Sequence, residues 1–279
     1  FYNKEILKDR GIVEDSTVIE EVIENVRKSA HTRSSGEDVY GFAGQGEKTA
    51  VYVPVGDFLR AWDGDYVNRD YEAVMTDQRV IRVVQLFADF YQAKVLPPNY
   101  TALEIADAMQ LFKNGRLAYT NAPPDYITRY TTEDGLPVEA VGFMAFPAAR
   151  EYKSQYPEAA PVRLFQWAFA IPKGAPHPQA TWDFVRFVDS KEGVKWMSIN
   201  GNTPVRFSTL DDPSYTSKVP YADVQKQLFR YGRSMFPGFE NWAQARDILG
   251  QELHRAILGE KSAEEAMADA QEAIAPLLP

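Results

Sequence analysis

Aromatic rings sit beside planar polar groups in four loops of this 279-residue sequence. Asn121 precedes Pro123-Pro124-Asp125-Tyr126, Gln166 adjoins Trp167, Asn202 and Arg206 share the segment NGNTPVR, and Phe239-Glu240-Asn241 runs into Trp242. Rings can stack on apolar C–H faces, while Asp, Glu, Asn, Gln and Arg make paired hydrogen bonds to neighbouring hydroxyls. Such a set favours a neutral sugar or polyol. Each residue also has a bland role open to it. Pro124-Asp125 can simply turn the chain after a strand. Trp167 shares a strand face with Phe165 and Phe169 and can pack there. Trp242 can anchor a loop, and Arg206 can hold its own loop through a carboxylate.

Catalysis finds less support. Asp125 and Glu240 could serve as the paired carboxylates of a glycoside hydrolase, but any acidic chain supplies such pairs. No GxSxG, HExxH, Walker or GxGxxG motif occurs. His31, His177 and His254 lie far apart and Cys is absent, so neither metal, cofactor nor disulfide is expected. The net charge of −9, with Lys and Arg scattered, argues against a nucleic-acid partner. No apolar run approaches the roughly 18 residues of a membrane span. No basic, then apolar, leader precedes the first helix.

The apolar periodicity predicts helices over 17–30, 50–62, 77–93, 105–113, 179–190, 192–199, 220–231, 242–258 and 262–274. Ser16 or Thr17 is expected to cap the first, with Glu20 and Glu21 in its first turn. Ser262 is expected to cap the last. Strands are predicted at 39–43, 117–120, 141–146 and 165–171, with a loop at 201–208. Short strands separated by many helices make an α/β pattern.

Several segments, in collinear order, resemble those of the extracellular solute-binding proteins of bacterial ABC sugar importers, the family of maltose-binding protein. They are FYNKEIL at 1–7, YGFA at 40–43, WDGDYV at 62–67, LFKNGRLAYT at 111–120, FQWAFAIPKGAPHP at 165–178, NGNTPVR at 200–206 and LGEKSAEEAMADAQEAI at 258–274. VEDSTVIEEV at 13–22 departs from the family pattern, keeping the helix start without its prolines and Trp.

The resemblance implies a two-lobe periplasmic-binding-protein fold of type II. Residues 1–168 and 216–279 would form a nearly complete second lobe, and 169–215 part of the first. It also implies that a lobe's worth of chain, on the order of a hundred residues, precedes the equivalent of Phe1 in the family. The chain is therefore expected to be part of a longer protein. Matched to the family, Asp125 falls where a sugar-stacking Trp stands, Trp167 aligns with a family Trp, and Tyr52 and Arg246 lie where the family places ligand contacts. The implied function is capture of a sugar, oligosaccharide or polyol between lobes and delivery to a permease. The protein would act as a monomer, periplasmic or lipid-anchored. A polyamine, ferric or peptide ligand on the same architecture is the alternative, and would need different pocket charge.

Overall fold

The computed structural model describes residues 1–279. Its five short strands form one mixed sheet in the order β2-β3-β4-β1-β5, with β1 at Tyr2–Asn3, β2 at His31–Thr32, β3 at Asp38–Phe42, β4 at Leu117–Tyr119 and β5 at Val141–Gly142. β3 and β4 run parallel, Tyr40 facing Leu117 and Phe42 facing Tyr119. The remaining pairs are antiparallel.

Helices α1 (Lys4–Asp9) and α2 (Ile19–Ser29) precede β3. The crossover that a parallel pair requires holds α3 (Tyr52–Ala61), α4 (Gln78–Gln92) and α5 (Ile105–Lys113). The chain continues through α6 (Ile127–Tyr130), α7 (Pro178–Val188), α8 (Lys191–Ile199), α9 (Phe207–Leu210), α10 (Pro213–Thr216) and α11 (Ala222–Tyr231). It closes with α12 (Trp242–Ile257) and α13 (Ala263–Ile274).

Caps explain several helix starts. The Asn3 side chain accepts from the N–H groups of Glu5 and Ile6, Asp77 accepts from Arg79, and Ser262 with Glu265 forms a reciprocal box. At α2 the structure corrects the expected cap. Val18 occupies the position and no side chain caps it; instead the Glu21 carboxylate accepts from the Thr17 N–H at 2.8 Å.

The core lies between the sheet and α2, α3, α4, α12 and α13. Phe42, Phe58, Phe87 and Phe146 meet edge to face, with Phe58 at the hub and centroids 5.1–5.3 Å away. α12 and α13 pack on each other and on α4, and α12 also meets α3. Gly250 permits a close approach, since a Cβ there would lie 1.9 Å from the Lys48 carbonyl oxygen. His254 Nε2 shares a 2.7 Å hydrogen bond with the Gly46 carbonyl and ties α12 to the same loop.

Three expectations change. The strand expected at 141–146 shortens to two residues. The stretch expected as a strand at 165–171 forms no backbone hydrogen bonds and is no strand, because no neighbouring strand lies beside it. The loop expected over 201–208 turns into α9 from Phe207.

Two chain segments run side by side where the α7–α11 region joins the rest. Leu164 N–H donates to the Arg233 carbonyl at 2.9 Å, and Arg233 N–H to that of Val162 at 3.1 Å. The Arg233 guanidinium then grips Asp63 at 2.8 Å and Asp65 at 3.1 Å. Arg60, only 1% exposed, pairs with Asp65 and donates to the carbonyls of Ser234 and Met235 at 2.6 and 3.3 Å.

Candidate functional site

The parallel strands β3 and β4 end side by side, and their carboxyl ends open toward the start of α3, the kind of position where open α/β sheets bind ligands. The loop after β3 leads into α3, and β4 leads to Asn121. Asn121 Nδ2 donates to Asp57 Oδ2 at 2.8 Å. Its Oδ1 is buried without a partner and packs on Gly44, where a Cβ would stand 2.2 Å away.

Burial raises the Asp57 pKa above the usual carboxylate value, and the nearby Arg163 guanidinium, Asn121 and the Arg163 peptide N–H work against that rise. Burial also raises the Tyr52 phenol, opposed by the positive charges of Arg163 and Arg246. Tyr52 therefore lies within the field of two guanidiniums and the Asp57 carboxylate.

Four rings complete this floor. Tyr52 meets Trp242 and Phe236 edge-on at 5.5 and 5.7 Å, Phe236 lies 4.2 Å from Trp242, and Phe239 meets Trp242 at 6.0 Å. Tyr66 stacks behind Phe236 at 5.6 Å and backs the cluster. Arg246, one turn into α12, is held by Asp247 at 2.9 Å.

Of the residues singled out from sequence, Tyr52, Asn121, Phe239, Trp242 and Arg246 come together here. Glu240 is exposed on the adjoining loop. Asp125 stands elsewhere: its Oδ1 accepts from Thr203 Oγ1 at 3.0 Å, and Gln225 reaches the same hydroxyl at 3.4 Å. Tyr126 lies under the Arg129 guanidinium at 4.2 Å. Asn202 donates to the Met197 carbonyl at 3.3 Å. Arg206 binds the carbonyl and carboxylate of Asp189 and so holds its own loop. Gln166 and Trp167 project from the unpaired stretch, Trp167 being 88% exposed.

Sequence reading missed Asp57, Arg163 and Phe236. Asp57 gave one usable signal, a lone carboxylate inside the apolar run of α3, Val53-Pro54-Val55-Gly56-Asp57-Phe58-Leu59. Arg163 gave none, because its neighbours come from α3 and from residue 233.

The model for the bacterial extracellular solute-binding protein family matches residues 1–222. Among solved structures, the chain is similar to maltose-bound MalE3 of T. maritima, with a TM-score of 0.84 at 21% identity over 99% of this chain and 69% of that one. It is also similar to an ABC transporter solute-binding protein of Agrobacterium radiobacter K84 in complex with ribitol, TM-score 0.83 at 20% identity, covering 99% and 68%. A third, from Thermotoga lettingae TMO with bound α-D-tagatose, gives 0.82 at 18% identity, covering 99% and 69%.

Proposed function

The chain belongs to the bacterial extracellular solute-binding protein family, and on that premise we propose that it captures a neutral sugar, oligosaccharide or polyol between two lobes and delivers it to the permease of an ABC importer. The observation that carries this reading is the floor just described, in which Tyr52, Phe236, Phe239 and Trp242 offer ring faces beside Asp57, Asn121 and Arg163. Apolar faces and convergent planar polar groups are the two devices that hold a pyranose or a polyol chain. Similar structures with maltose, ribitol and tagatose bound support the ligand class.

The family places the protein outside the cytoplasm. We propose that it works there as a monomer, free or tethered by lipid. Its lobes divide at the paired crossing segments: residues 1–163 and 232–279 make the second lobe, and 164–231 contribute to the first. A return crossing at 232–235, in place of the one expected at 216, is supported by the bonds between Arg233 and Val162 and Leu164. Mutual packing of α8, α9, α10 and α11 supports the division. Phe165, Trp167, Phe169, Trp182, Phe184 and Phe187 are large apolar side chains left exposed in that first-lobe region. Free solvent is a poor neighbour for such side chains, and we assign them to packing within the first lobe. The Asp125–Thr203 bond joins the two lobes across the cleft, a contact that hinge closure would make and opening would break.

The test is a thermal-shift screen of the protein against maltose, ribitol, D-tagatose, D-mannitol and common monosaccharides. A ligand at a hundred times its Kd adds about 2.7 kcal/mol to stability, enough to move the melting temperature by several degrees. The reading fails if no carbohydrate or polyol raises it. A product released on incubation with oligosaccharides would favour glycoside hydrolysis instead.

A further inference from the structure

We propose that Asp57 and Arg163 form the polar couple that reads the ligand, Asp57 accepting from its hydroxyls and Arg163 donating to them, and that this couple makes the site select neutral polyhydroxy compounds over sugar acids. The proposal rests on the cleft reading above and names the residues that set its specificity.

Arg163 is the first ground. Its guanidinium is half-buried and forms neither a hydrogen bond nor an ion pair within the chain. It is not a loose surface side chain. The Phe165 ring lies 5.3 Å from Cζ, and the backbone on either side is pinned to Arg233. Every other arginine of this neighbourhood is engaged: Arg60 with Asp65, Arg233 with Asp63 and Asp65, and Arg246 with Asp247. A guanidinium held in place with five donors free is poised for acceptors the chain does not provide.

Asp57 is the second ground. Asn121 is the one side chain that donates to it, through a single Nδ2–H···Oδ2 bond. A carboxylate has about four acceptor positions, so with Asn121 and the Arg163 peptide N–H as its donors about half of its capacity stays open, in a half-buried location beside Tyr52. Donor-only and acceptor-only groups thus stand on one floor, and vicinal hydroxyls can satisfy both.

Charge decides which ligand fits. With Arg246 neutralised by Asp247, Asp57 and Arg163 stand on the floor as opposite charges that offset each other. Glu47, which also faces Tyr52, bonds the N–H and hydroxyl of Thr49 but keeps its charge, and so adds to the repulsion a ligand carboxylate would meet. A ligand carboxylate would meet Arg163 but also the Asp57 charge, and an ammonium would meet the converse. A neutral polyol meets neither penalty.

The experiment measures Kd by titration calorimetry for maltose, ribitol, D-tagatose and D-mannitol, and for D-gluconate and D-glucuronate, with wild type, Asp57→Asn, Arg163→Gln and Arg163→Lys. We expect Asp57→Asn to weaken the best neutral ligand at least tenfold and to raise the affinity for the acids relative to it. Arg163→Gln is expected to weaken both classes at least tenfold, with Arg163→Lys between. Asp57→Asn should melt no lower than wild type without ligand, because burial already disfavours the carboxylate charge and Asn keeps an acceptor for Asn121. A wild type that binds a neutral ligand while Asp57→Asn and Arg163→Lys bind it equally well overturns the proposal alone. A wild type that binds none of the neutral ligands overturns the cleft reading with it.

Discussion

Replacing Arg60 with Met tests whether a buried cation holds the crossing segment in place. Burial pulls the Arg60 pKa well below its ordinary value, to about 10, and its Nε is buried without an acceptor. That shift corresponds to about 3 kcal/mol against burying the charge, a cost that Met removes. Against it stand the interactions Met cannot make. Two charge-assisted bonds, to the Ser234 and Met235 carbonyls, contribute on the order of 1.5–3 kcal/mol each. The Ser234 bond counts at the low end because that residue is exposed. The Asp65 attraction is already inside that net shift and is not added again, although Asp65 keeps only Arg233 at 3.1 Å. The lost bonds slightly exceed the relief, and Arg60→Met should lower stability by about 1 kcal/mol. Urea unfolding should show an earlier midpoint with an unchanged slope. Arg60→Met as stable as wild type would refute the reasoning, because it would mean the carbonyls and Asp65 find equivalent partners without the cation. Loosening of Ser234–Met235 should also disturb Phe236, and Trp242 fluorescence reports it.

Gly44→Ala should destabilise by about 1–3 kcal/mol, as overpacking does, and weaken ligand binding, because its methyl would stand 2.2 Å from Asn121 Oδ1 and push that amide off Asp57; urea midpoints and calorimetry read both effects. Glu252, 7% exposed, accepts from Arg255 and Lys261 at 2.7 and 2.8 Å, so Glu252→Ala should cost about 2–3 kcal/mol in urea unfolding. Arg79 holds the Asp77 carboxyl below its usual pKa while Asp77 caps α4. Its folded value lies below the unfolded one of about 3.9, so its stabilisation is present above that pH and fades as pH falls through the folded value. Asp77→Ala should therefore lower stability by about 1 kcal/mol at pH 7 and by clearly less at pH 3, a difference that paired urea titrations measure.

Helices were the most legible elements. α5 occupies the residues its apolar stripe and the Asn114-Gly115 stop imply, and α4, α12 and α13 differ from their predicted spans by a residue at an end or two. A helix carries its hydrogen bonds internally, so local pattern suffices. Strands do not. β1 and β5 are two residues each, defined only by pairing across more than a hundred positions. The stretch 165–171 shows the reverse, with strand-like alternation and no partner to make it a strand. The site divides along the same line. Trp242 and Phe239 share one short loop whose ring and polar types were legible by themselves, and Tyr52 and Arg246 were within reach of resemblance. Asn121 was singled out, but its partners Asp57 and Arg163 come from α3 and a crossing segment, and no spacing rule joins residues so far apart.

The same long-range pairing has a consequence for how the chain is made. Tyr2 lies opposite both Tyr119 and Gly142, while α12 and α13, from the last forty residues, pack on α4. A growing polypeptide therefore cannot complete this core until nearly all of it has left the ribosome. Until then the face of α4 that α12 and α13 cover waits without them. Closure over such separations is slow, and slow closure keeps a chain extended and open to holding factors for longer. For a protein of a family that works outside the cytoplasm, delayed folding is compatible with crossing a membrane as an unfolded thread.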